Sequence, residues 1–153
     1  MDYIIDKAYR IGLTIVLNPS PFNEKIDRCD LSKISVFMVN EIEGEQITGE
    51  KEPERILGIL KQKYPEAKVV LTLGADGVMY QDKSTFCKQD IFKVKAVDTT
   101  AAGDTFTGYF IAAMLEHMPI EKALELCAKA SAIAVSRKGA TDSIPTRDEV
   151  EQL

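Results

Sequence analysis

The sequence predicts an α/β protein with a largely parallel sheet covered by helices, and three observations carry that expectation. Residues 13–17, 35–39 and 68–73 are apolar runs rich in β-branched residues, short enough for strands and too uniformly apolar to have one wet face. Between and beyond them, apolar residues recur at the three-and-four spacing of helices. Strand and helix signals alternate along the chain, as strand–helix–strand units require.

Ile4, Ile5, Ala8 and Ile11 open the chain at helical spacing, Gly12 supplies a stop, and 13–17 reads as a fully buried strand. Asn18-Pro19-Ser20-Pro21 is a turn, because each proline fixes its own φ and restricts the residue before it. After the second strand, 40–48 is a polar helical segment ended near Gly49, and Pro53 opens a helix with Ile56, Leu57, Leu60 and Tyr64 on one face. The third strand closes on Gly74-Ala75-Asp76-Gly77 and continues into a shorter strand at 78–81. Short strands at 85–88 and 92–94 are expected to form an antiparallel edge. The last third is helical over 102–117 and 120–136, with a short helix opening near Thr146. Phe106, Tyr109, Phe110 and Ala113 repeat at core spacing, and Ile120, Ala123, Leu124, Cys127, Ser131 and Ala134 share a face. With no repeat, low-complexity stretch or linker, residues 1–153 read as one domain.

Composition narrows the function classes. With 45% hydrophobic and 28% charged residues, the chain carries enough apolar material for an ordinary core, which argues against disorder. The net charge is −5 and the basic residues are scattered, so no nucleic-acid footprint stands out. Residues 106–115, the longest nearly apolar stretch, are too few to span a bilayer. Cys29, Cys87 and Cys127 are odd in number and far apart, which suggests core residues in a reducing cytosol and not a disulfide framework or zinc site. With no basic start and apolar run at the N-terminus, the expected location is cytoplasmic.

The chemistry concentrates in Val97-Asp98-Thr99-Thr100-Ala101-Ala102-Gly103-Asp104-Thr105-Phe106. Two acids, three hydroxyls and a run of small residues stand directly ahead of an apolar helix. Small residues let backbone approach a ligand, and the first N–H groups of a helix lack internal partners, so Ala101, Ala102, Gly103 and Asp104 can cradle a phosphate. A plain N-terminal cap needs one polar residue and leaves the small residues unexplained. His117, before Pro119, reads as a helix terminus.

Asp98-Thr99-Thr100-Ala101-Ala102-Gly103-Asp104 resembles the second signature of the ribokinase, or PfkB-type, carbohydrate kinases and matches Asp-Thr-x-Ala-Ala-Gly-Asp at every position. The resemblance implies a ribokinase-like, Rossmann-like three-layer α/β/α fold. It also implies that the Ala101–Asp104 backbone is an anion hole, and that the Asp104 carboxylate takes the proton of a primary sugar hydroxyl attacking the γ-phosphate of ATP. Asn40-Glu41-Ile42-Glu43 fits the family's Asn-x-x-Glu element, implying roles for Asn40 at the phosphates and Glu43 at magnesium; taken alone, that pattern is a helix start on a solvated face. Thr72-Leu73-Gly74-Ala75-Asp76-Gly77 resembles the family's Thr-x-Gly-x-x-Gly turn against the nucleotide, which places Thr72, Gly74, Ala75, Asp76 and Gly77 there; a structural turn explains the glycines equally well. Residues 134–143 resemble a loop that encloses a potassium-type monovalent cation, with Asp98, Thr100, Ala134, Arg137, Gly139 and Ser143 as its implied ligands.

The resemblance covers this chain but only the C-terminal half of such kinases; the Gly-Gly signature, sugar-binding residues and β-stranded lid belong to the other half. The implied function is phosphorylation of a sugar, with Asn18-Pro19-Ser20-Pro21 and residues 135–140 leaning toward ribose over fructose, adenosine or ketodeoxygluconate. The alternative is a non-catalytic nucleotide-binding or self-associating fragment. Expected partners are ATP, a small sugar, and either a second copy or a complementary N-terminal half.

Overall fold

The computed structural model describes residues 1–153. The chain divides into two compact units, Met1–Gly74 with Met79–Cys87, and Ala75–Val78 with Lys88–Leu153.

In chain order the first stretch forms α1 (Asp2–Arg10), β1 (Val16–Leu17), α2 (Glu24–Asp27), β2 (Val36–Asn40), α3 (Glu41–Thr48), α4 (Pro53–Lys63), β3 (Lys68–Thr72), β4 (Val78–Gln81) and β5 (Phe86–Gln89). The strands make one five-stranded sheet in the order β1-β2-β3-β4-β5. β1, β2 and β3 are parallel, with Val16 opposite Val36 and Asn40 opposite Thr72. β4 and β5 are sheet neighbours joined by a tight turn that Asp82 N–H closes on Thr85 O at 3.0 Å, so they form a hairpin.

The central strands are buried on both faces: Val36, Phe37, Met38 and Val39 on β2, and Val69, Val70 and Leu71 on β3. Ile56, Leu57 and Leu60 of α4 seal one face, and the Phe37 ring stacks on Tyr64 at 4.8 Å. Gly49, at φ 79°, ends α3 in the left-handed region, and Pro53 occupies the first turn of α4, both as the sequence predicts.

Three expectations need correction. Only Val16 and Leu17 of 13–17 are paired, and Leu13 is 56% exposed, because this strand lies at the sheet edge. Residues 92–94 form no strand; Phe92 instead lies half-buried with the Lys129 ammonium 5.5 Å from its ring centre. Glu43 is 5% exposed and not on a solvated face, because α3 folds it back onto its own N-terminus. The opening helix forms as its spacing predicts, with Ile5 buried and Ile4 and Ile11 exposed. α2 is an addition that the sequence reading passed over. It is a single turn capped by Asn23, whose side chain accepts from Lys25 N–H.

In the other unit, α5 (Ala102–Leu115) packs on α6 (Ile120–Val135), and α7 (Arg147–Glu151) closes the chain. Ala113, Ala123, Leu126, Ala130 and Val150 form the core where they meet. Phe106 and Phe110 are buried as expected, whereas Tyr109 is half-buried and donates its hydroxyl to Pro145 O at 2.8 Å. His117 sits just past α5 at φ 55°, a helix terminus as expected.

Candidate active site

Within the first unit, the carboxyl ends of β2 and β3 bring Asn40 and Thr72 into register. Ligands of open α/β sheets bind at such strand ends. Asn40 caps α3: its Oδ1 accepts Glu43 N–H at 2.9 Å, while Glu43 Oε2 accepts Asn40 N–H at 3.1 Å. The Asn-x-x-Glu pattern is therefore a reciprocal helix cap, and it leaves Asn40 Nδ2 and one Glu43 carboxylate oxygen free of intramolecular bonds. Gly74, Ala75 and Asp76 form an exposed turn of 3-10 helix after Leu73.

The two glycines of that turn have different reasons. Gly74, at φ 53°, has open space beside it; a Cβ there would meet nothing nearer than Glu41 Oε1 at 4.0 Å. Gly77, at φ 88°, belongs to the second unit, and a Cβ there would stand 2.2 Å from Gln89 O. Backbone packing thus requires Gly77, while Gly74 leaves the turn accessible to a ligand.

In the second unit, Ala101 precedes α5 without a side-chain cap. Ala102 N–H donates to Thr99 O and Thr105 N–H to Ala101 O, which leaves the Gly103 and Asp104 amides as first-turn donors with no internal acceptor. Asp104 is exposed in this first turn and makes no ion pair. Free amides and a free carboxylate therefore share one helix mouth. Ser131 Oγ donates to Ala102 O at 3.0 Å and ties that mouth to α6. A groove of about 360 Å³ runs from Asp104 along α5, lined by Thr105, Gly108, Tyr109, Glu116 and Arg147.

Asp98 organises the loop ahead of α5. Its Oδ1 accepts Thr100 Oγ1 at 2.5 Å and Thr100 N–H at 3.0 Å, and its Oδ2 accepts Gly139 N–H at 3.2 Å. The hydroxyl of Thr100, then the two amides, hold the Asp98 carboxyl below its ordinary range. Three of the six implied cation ligands, Asp98, Thr100 and Gly139, are thereby brought together. Ala134 O is already accepting Arg137 N–H at 3.1 Å, and the buried Ser143 turns its hydroxyl onto Ala140 O at 2.7 Å.

The side chain of Arg137 has a partner that spacing did not suggest. It grips Glu149 through two nitrogens at 2.5 and 3.4 Å, while Thr146 N–H donates to the same carboxylate at 2.8 Å. The guanidinium first, then that amide, hold Glu149 down at about 2. Thr105, one of the three hydroxyls of 97–106, is buried with no partner, and Ser131, on the shared face of α6, bonds the helix mouth; the sequence assigns neither a role at the site. The Thr-x-x-Glu spacing of Thr146 and Glu149 signals a capping box, whereas nothing local signals the reach from Arg137.

Residues 5–147 match the pfkB family carbohydrate kinase. A ribokinase of Haemophilus influenzae is 40% identical over 147 residues, covering 93% of this chain and 47% of that protein. The crystal structure of a Cryptococcus neoformans ribokinase in complex with ADP superposes with a TM-score of 0.85 at 26% identity, over 99% of this chain and 55% of that one. An Arabidopsis thaliana ribokinase complexed with ribose and ATP gives 0.82 at 28% identity, over 97% and 50%. The fold is ribokinase-like, and the chain spans about half the length of the curated relatives it matches. With the motif at the mouth of α5 and a family match over most of its length, the chain belongs to the pfkB family of carbohydrate kinases.

Proposed function

We propose that the chain supplies the nucleotide and phosphoryl-transfer half of an ATP-dependent sugar kinase that converts D-ribose to ribose 5-phosphate. The observation that carries this is the exposed, unpaired Asp104 in the first turn of α5, beside two amides without internal acceptors. Asp104 accepts the proton of the primary hydroxyl, its oxygen bonds to the γ-phosphorus of ATP, the bond to the bridging oxygen breaks, and ADP leaves. Of the Ala101–Asp104 backbone, the Gly103 and Asp104 amides are free to meet the phosphoryl charge, a stabilisation such transfers depend on, whereas the Ala102 amide is held by Thr99 O. Asn40, Thr72, Gly74, Ala75, Asp76 and Gly77 form the nucleotide side. The resemblance to ribokinases crystallised with ADP, or with ribose and ATP, supports both substrates.

The residues suit the implied cations. Glu43 keeps a free carboxylate oxygen in a buried setting, a hard donor suited to magnesium directly or through water. Magnesium, when bound, neutralises phosphate charge. Asp98, Thr100, Ala134, Arg137, Gly139 and Ser143 offer a carboxylate and backbone carbonyls, the oxygen set of a potassium site. Cys29, Cys87 and Cys127 form no disulfide, which suits a reducing cytoplasm, and no helix is long and apolar enough to cross a membrane.

The test is ADP release with ribose and ATP–magnesium by the chain combined with a complementary N-terminal kinase half, which brings the sugar-binding residues. Asp104→Asn lowers it by roughly 10²–10⁴-fold, the usual worth of a positioned base, with the melting temperature unchanged. A variant as fast as the parent removes Asp104 from the chemistry. The half-length match favours a second reading, a nucleotide-binding module without catalysis; saturable ATP binding by calorimetry with no ribose-dependent ADP release selects it.

A further inference from the structure

Residues 136–146 connect α6 to α7, and a small set of bonds fixes their path. At the start, Val135 O accepts the Val97 and Asp98 N–H groups at 2.7 and 3.1 Å, which ties the end of α6 to the chain ahead of α5. In the middle, Gly139, at φ 97°, donates its N–H to Asp98 Oδ2 at 3.2 Å. Beyond it, Ala140 O accepts both the N–H and the hydroxyl of Ser143, at 3.3 and 2.7 Å. Arg137 stands between the first two of these points, and its side chain reaches out of the loop to Glu149 on α7.

Glu149 is fixed by its own helix before it meets the guanidinium. Its Oε2 accepts Thr146 N–H at 2.8 Å and Thr146 Oγ1 at 3.2 Å, the return half of the box that caps α7. The carboxylate is therefore an anchor mounted on a helix end. The two side chains are 36% and 42% exposed, and pairs so open to water add little to stability. A clasp through two nitrogens nevertheless fixes direction as well as distance. Its effect falls on the shape of the loop more than on the stability of the fold. An ion held largely by backbone carbonyls depends on that shape, because carbonyls oriented beforehand lose less freedom when the ion binds.

We infer that Glu149 is a positioning residue for the monovalent-cation loop: through the Arg137 guanidinium it holds the 137–139 backbone beside Asp98 in the form that accepts the ion, without touching the ion itself. The inference rests on the reading that Asp98, Thr100 and residues 134–143 hold a potassium-type cation, and adds to that set a side chain from a different helix.

The test titrates the nitrogen-15-labelled chain with potassium chloride, replacing tetramethylammonium chloride at constant ionic strength, and follows the Gly139 amide, whose acceptor is Asp98. In the parent its chemical shift saturates. Arg137→Ala leaves the backbone carbonyl in place, and Glu149→Gln keeps an oxygen able to cap α7, so each removes the clasp while sparing the ligand set and the helix cap. Each raises the potassium concentration at half-saturation by at least roughly threefold, and the double variant raises it no further than either alone, as members of one pair do. Arg137→Lys, which keeps the charge without the two-nitrogen geometry, recovers part of the loss. Arg147→Gln frees α7 from Glu116 and Glu151 but spares the clasp, and binds potassium as the parent does. Half-saturation unchanged in Arg137→Ala and Glu149→Gln, even with a lowered melting temperature, would overturn the inference and leave the cation site standing. Additive effects in the double variant, or an equal shift in Arg147→Gln, would do the same. A parent amide indifferent to potassium would remove the cation reading and the inference with it.

Discussion

Glu149 illustrates how one ion pair sets a local charge state. Arg137 and the Thr146 amide favour its ionised form, so its folded pKa, about 2, lies below the ordinary 4.5. A depressed carboxyl contributes stability that is fully present above the unfolded pKa and lost as pH falls through the folded one, here between about 4.5 and about 2. The carboxylate is partly open to water, so screening keeps the contribution small. NMR titration of the Glu149 carboxyl should show a midpoint near 2, and Arg137→Ala should move it toward 4.5. A parent midpoint near 4.5 would mean that the pair does not persist in solution. Asp104 contrasts with it: bonded to no cation, it is held only by its place in the first turn, which leaves the carboxylate available to a substrate.

α3 and α4 approach closely because Gly44 has no side chain. A Cβ there would come within 2.9 Å of Ile56 Cγ2 and 3.2 Å of its Cδ1. A helix-interior glycine normally costs about 1 kcal/mol relative to alanine, so the approach must return more than that in packing against Ile56. Gly44→Val should destabilise by roughly 1–3 kcal/mol through overpacking, read as a melting temperature lower by about 2–4 °C for each kcal/mol. An unchanged melt would show that α4 yields at no cost. Leu60, fully buried on the same helix, tests the opposite error: Leu60→Ala should cost roughly 2–5 kcal/mol in chemical denaturation. A loss below that range would mean that the core collapses around the gap.

For the molecule as a whole, nucleotide binding and stability are linked. If ATP binds the folded chain alone, ATP–magnesium at a hundred times its Kd should raise stability by about 2.7 kcal/mol, seen as a concentration-dependent rise in melting temperature. A melt indifferent to ATP would place nucleotide binding beyond what this half can do unaided. The alternating architecture, the central strands, the capped helices and the motif opening α5 were all legible in the sequence. Periodicity, capping and small-residue runs are local properties that a linear chain states outright. Three matters were decided only in three dimensions. Gly77 is demanded by Gln89 O, twelve residues on, and not by a ligand turn alone. Arg137 spends its side chain on Glu149 across a loop. The run 13–17, written as an interior strand, lies at an open edge. Each depends on which segments become neighbours, and neighbourhood is set by the burial and pairing of distant parts of the chain, which no local pattern encodes.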